Sequence, residues 1–135
     1  MEHALSTELQ YLIYTGFLML ALWVPYILAE LKMAGVFKAL SYPDERPLPK
    51  WGERLKCAHY NLVENIAPFA IAVIAGELLN VHTAVTATCA IVFFWARVLH
   101  PFAQVTRIWG TRTFTFAAGV TATVVYLGEV LAQAG

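Results

Sequence analysis

Apolar stretches of membrane-spanning length recur four times along the chain, separated by short polar punctuation. Leu9 to Ala29 carries no charge and fits a span directly, since roughly 20 apolar residues cross a bilayer as a helix. Ala67 to Gly76 is wholly apolar but short, and becomes a span only when extended backwards through Asn61 towards Arg54. A third stretch is apolar from Thr83 to Ala96 and continues through Arg97 to about Arg107. The fourth runs from about Thr113 to Leu131. Asn80 and His82 mark a tight turn, and Trp109-Gly110-Thr111 marks another. The pattern predicts helices over about 9–33, 54–79, 83–107 and 113–132. One longer connection, 35–52, holds Pro43, Pro47 and Pro49 and reads as a loop. The expected architecture is all-α: a four-transmembrane-helix bundle in a single domain, 1–135.

Composition agrees. Of 135 residues 59% are hydrophobic and 13% charged, with mean hydropathy +0.61. A water-soluble domain is nearer half apolar and a quarter charged, so lipid is the expected solvent. A net charge of zero gives no basis for a nucleic-acid partner. Cys57 and Cys89 lie far apart without ligand-like spacing, so neither a metal site nor a disulfide framework is expected. Met1 to Gln10 has no Lys or Arg, so no cleavable leader is expected. All nine basic residues border the first and third connections: Lys32, Lys38, Arg46, Lys50, Arg54 and Lys56 at one, Arg97, Arg107 and Arg112 at the other. Glu2, Glu8, Glu77 and Glu129 mark the opposite side. The positive-inside rule then places both basic connections in the cytoplasm and both termini outside it. A bacterial inner membrane and the endoplasmic reticulum fit equally.

Charges inside the second and third spans are the chemistry to explain. Glu64 lies ten residues after Arg54, and Arg97 ten before Arg107. Each is about 15 Å along a helix from the basic end, so the two reach similar depth. Alone, each costs about 2.5–3.5 kcal/mol at the membrane centre, and a Glu64–Arg97 ion pair is the expected relief. Arg54, Ala58, Asn61 and Glu64 share one helical stripe, as do Arg97, His100, Gln104 and Arg107. Two polar stripes facing one another predict a wet cleft open to the cytoplasm. Phe93, Val98 and Phe102, with Leu62 and Ile66, form the apolar faces expected to meet lipid or a neighbour. A purely structural polar network is the alternative meaning of the same residues.

The run Ala58-His59-Tyr60-Asn61-Leu62-Val63-Glu64-Asn65-Ile66-Ala67-Pro68-Phe69 resembles a second-helix signature of the membrane-associated proteins in eicosanoid and glutathione metabolism. Arg97-x-x-His100 resembles the family's third-helix signature, and Arg112-Thr113 the opening of its fourth helix. Within the family the chain resembles the microsomal glutathione transferases. The resemblance implies a homotrimer that binds glutathione as co-substrate between neighbouring subunits and meets hydrophobic small-molecule substrates among the membrane lipids. It implies that Asn61 and Glu64 contact the glutathione backbone and amino group, and that Arg97 and His100 line the pocket. It implies that Arg112 stabilises the thiolate, to which Thr113 could donate a hydrogen bond. That role suits a residue at a helix start: a thiol of pKa about 8.5 is lowered by nearby cations and by a helix N-terminus.

The chain departs from the family pattern where Cys57 replaces a glutathione-binding arginine, and where Gln104 and Phe116 replace tyrosines of some members. Arg54 or Lys56 could restore the lost positive charge, so Arg54 and Gln104 join the expected binding set. Two activities therefore stand beside each other: a glutathione-dependent transferase or peroxidase, and a noncatalytic lipid-binding or modulatory relative. A small multidrug transporter ranks last, because the first span has no acidic residue until Glu30 at its end.

Overall fold

The computed structural model describes residues 5–41 and 45–135; Glu2 and Pro43 of the sequence argument lie outside them. Four helices long and apolar enough to cross a membrane account for most of the chain: α1 (Thr7–Ala34), α3 (Lys50–Leu79), α4 (Ala84–Thr106) and α5 (Thr111–Ala134). A short helix, α2 (Val36–Leu40), follows α1. No strand occurs among the described residues.

Each helix boundary has a local chemical cause. Ser6 accepts a hydrogen bond from the Leu9 N–H at 3.1 Å and caps α1. Gly35 ends α1 at φ 80°, a backbone angle that side chains strongly disfavour. Asn80 closes α3 in the left-handed region at φ 54°, where asparagine is among the better tolerated residues. Thr83 and Thr86 cap one another reciprocally and start α4. Arg107 at φ 59° ends α4, and Gly110 at φ 79° redirects the chain into α5. The connection expected as loop over 35–52 is therefore partly helical, and α3 begins at Lys50 rather than near Arg54. Pro49, directly before Lys50, lacks the N–H that a helix interior requires but is compatible with a helix start.

The helices run up and down. α4 and α5 form the most extensive pair, and α1 packs mainly on α3 and α4. Phe69 of α3 and Phe93 of α4 stack at the centre, ring centroids 3.9 Å apart and nearly parallel, with Tyr126 of α5 edge-on to Phe69 at 6.3 Å. Leu62, Ala72, Val73, Ala90 and Ala122 fill the surrounding space. Phe93 and Leu62 thus belong to the core, not to an outer face, while Phe102 is exposed as expected. Other large apolar side chains point outward, among them Phe17, Ile71, Leu78, Val124 and Leu131. This inverted surface is what a hydrocarbon solvent permits.

Polar ties close both ends. At the end away from the basic residues, Thr86 donates to the buried Glu8 carboxylate at 2.5 Å, the Ser6 hydroxyl donates to Glu77, and His82 Nδ1 lies 3.7 Å from Glu8 Oε2. At the basic end, Arg46 pairs with the buried Glu30 at 3.0 Å and holds the connection after α2 against α1.

Candidate functional site

Near the basic end α3, α4 and the start of α5 diverge and leave a groove. Its deeper part, about 530 Å³, is lined by Asn61 and Glu64 of α3, His100 and Gln104 of α4, and Arg112 and Thr113 of α5. Cys57, Tyr60 and Phe116 complete the wall. Towards the helix ends the groove widens into about 980 Å³ that also touches Arg54 and Arg107. Three guanidinium groups therefore face two carboxylates, Glu53 and Glu64, across the whole groove. Cavities of this size accommodate drug-sized ligands, and the excess positive charge favours an anion.

Arg112 and Thr113 are the second and third residues of α5, and no side chain caps this helix start. The free backbone N–H groups and the positive end of the helix dipole thus lie beside the Arg112 guanidinium. Arg54 donates from Nη1 to the Val105 carbonyl at 3.3 Å, so part of its guanidinium is held against α4.

The expected Glu64–Arg97 ion pair does not form. Arg97 is only 2% exposed and donates from Nη1 to Asn61 Oδ1 at 2.6 Å, whereas Glu64 lies exposed on the groove rim. Equal depth alone does not select the partner, because rotation about the helix axis decides which side chain faces Arg97. Residues three apart on a helix differ by about 60° in direction, and Asn61, not Glu64, faces the interior. Room for the guanidinium comes from Gly119 on α5: a Cβ there would stand 2.9 Å from Arg97 Cζ and Nε, and closer still to Nη2. The neighbour of Gly119 is thus this charged side chain. The Phe93 and Phe116 rings flank the guanidinium at 5.1 and 5.8 Å. Arg97 Nε and Nη2 are buried without a hydrogen-bond acceptor.

His100 lines the groove but is itself buried and held at both nitrogens. Its Nδ1 lies 2.9 Å from Thr115 Oγ1, and its Nε2 lies 3.4 Å from Gln104 Nε2. Thr115 was not singled out by the sequence, because nothing in the run of threonines of α5 distinguishes it. Tyr60, which adjoins Asn61 in the second-helix motif, also lines the wall, and its position in the motif is the one sequence signal for it.

Four membrane-length helices, a lipid-compatible exterior and a cationic groove define a multi-pass integral membrane protein with an open polar groove. More narrowly, the chain belongs to the MAPEG family, whose family model matches residues 11–132. Comparison with curated proteins and with solved structures gives no match.

Proposed function

We propose that the groove binds glutathione, stabilises it as the thiolate and presents that thiolate to lipophilic electrophiles or hydroperoxides arriving from the bilayer. The observation that carries this reading is the convergence of Asn61, Glu64, Arg112 and Thr113, from two different helices, on one groove. Glu64, exposed on the rim, offers a carboxylate for the ammonium group. Asn61 offers an amide to the peptide portion. Arg112 and the start of α5 stabilise negative charge on sulfur, and Thr113 adds a hydroxyl donor. Arg97 and His100 support the wall from behind, and Gln104 and Arg54 border the path to the helix ends. Family membership supports the use of glutathione and assembly as a homotrimer, in which a neighbouring subunit would close the exposed side of the groove. The positive-inside rule supports a cytoplasmic groove mouth and termini on the opposite side.

Purified protein in detergent should bind glutathione in a calorimetric titration, and binding should raise the ultraviolet thiolate absorbance. Arg112→Ala should abolish the absorbance and lower conjugation of a reactive aryl halide by at least about tenfold, as for loss of one charge-stabilising donor. Absence of both binding and turnover in the native protein would remove this function.

A second reading, a noncatalytic family member, draws on Cys57. Its thiol occupies the groove wall where the resemblance places a cation, and Arg54 is already engaged with Val105. Binding of a lipid or of glutathione without any turnover would favour it; turnover that disappears with Arg112→Ala would exclude it.

A further inference from the structure

Two amide side chains face the groove, and each is held from behind by a buried residue of α4 that is itself set by α5. Asn61 accepts from Arg97 through Oδ1, which leaves its amide nitrogen free to donate, and the residue lines the groove. Arg97 keeps that position because Gly119 has no side chain. The second chain begins at Thr115. Its hydroxyl lies 3.0 Å from the carbonyl oxygens of both Thr111 and Arg112. A hydroxyl has one hydrogen, and the two carbonyls can only accept. With that hydrogen on the helix backbone, the hydroxyl accepts from His100 Nδ1–H. His100 Nε2 is then the acceptor for the Gln104 amide nitrogen, and the Gln104 carbonyl oxygen remains for the groove.

We infer that Gly119 and Thr115, neither of which lines the deeper groove, are positioning residues that make it present one amide donor (Asn61) and one amide acceptor (Gln104), so that it selects a peptide-like ligand bearing both a hydrogen-bond acceptor and a donor. The inference rests on the proposed glutathione site and refines it. A ligand with only acceptors, such as a simple fatty-acid anion, satisfies Asn61 but leaves the Gln104 carbonyl unpaired. Polar groups that the wrong ligand leaves unpaired are what give hydrogen-bonding pockets their discrimination. Gln104 is one of the departures from the family pattern. With its nitrogen engaged by His100 it supplies an acceptor, where a tyrosine hydroxyl would also be able to donate.

The test is a set of calorimetric titrations of the full chain in detergent with glutathione, with thermal midpoint and oligomer size checked for every variant. Gly119→Ala should weaken binding about tenfold, the effect of one well-placed hydrogen bond to a charged or polar ligand group, and should add nothing in an Asn61→Leu background. Thr115→Val should weaken it similarly and add nothing in a Gln104→Leu background, while Thr115→Ser, which keeps the hydroxyl, should bind as the native protein does. A merely structural role would show additive losses instead. If Gly119→Ala fails to fold, the Thr115 series decides alone. Native binding with unchanged affinity in Gly119→Ala and Thr115→Val, or a Thr115→Ser as weak as Thr115→Val, overturns the inference and leaves the glutathione site standing. Failure of the native protein to bind glutathione removes the site itself.

Discussion

Asn61 is the single hydrogen-bond acceptor of the buried Arg97 guanidinium among the described residues. Replacing it with leucine, of similar volume, leaves a buried cation with none. Breaking a buried charged contact by removing one partner costs about 3–5 kcal/mol. At about 3–5 °C per kcal/mol for a chain of this length, Asn61→Leu should lower the thermal midpoint by at least about 10 °C. Arg97→Met should behave differently. It gives up the hydrogen bond, worth roughly 1.5–3 kcal/mol, and the attraction to Phe93 and Phe116, worth about 0.5–2 kcal/mol. It also removes a charge whose insertion costs about 2.5–3.5 kcal/mol, and its thioether chain still fills the space beside Gly119. The terms nearly cancel, so the midpoint should move by no more than about 5 °C. The double variant should resemble Arg97→Met. Glu64→Gln, a change on the exposed rim, should stay within about 0.5 kcal/mol of the native protein. Thermal unfolding in detergent, followed by tryptophan fluorescence, measures all four. Arg97→Met falling as far as Asn61→Leu, or Glu64→Gln matching either, would refute the assignment of Asn61 as the partner.

Two further outcomes follow from packing. Phe69→Ala, which empties the stack on Phe93 and the edge contact of Tyr126, should cost about 3–5 kcal/mol in detergent unfolding titrations; a loss under about 1 kcal/mol would place the core elsewhere. Native protein should take up one equivalent of maleimide, at the exposed Cys57, and a second at the buried Cys89 only after denaturation. Cys57→Ser should abolish the native labelling, and prompt labelling of that variant would contradict the burial of Cys89.

Span number and depth are written in the sequence because hydropathy and distance along a helix are one-dimensional quantities. The apolar run Leu9–Ala29 needs no coordinates to be recognised, and the shared depth of Glu64 and Arg97 follows from counting residues to the basic ends. Rotation about the helix axis is what the count misses. Between Asn61 and Glu64 it exchanges an interior partner for a rim carboxylate, and for Leu62 and Phe93 it moves a supposed outer face into the core. Gly119 and Thr115 were illegible for a different reason. Their importance lies in contacts with α4, and a glycine or threonine in a helix rich in both carries no local mark of which neighbour it will meet. For Arg112 and Thr113 the Trp109-Gly110 turn marks only their place at a helix start, and their expected roles come from the family resemblance.

The tie between Glu8 and Thr86 has a consequence for biogenesis. The carboxylate sits at the very start of the first span, yet both groups nearest to it, Thr86 and His82, belong to the turn and helix that begin the third. During synthesis the first span enters the bilayer before either exists. Glu8 gains these partners only once the third span has formed, so its burial follows insertion of the first span instead of accompanying it.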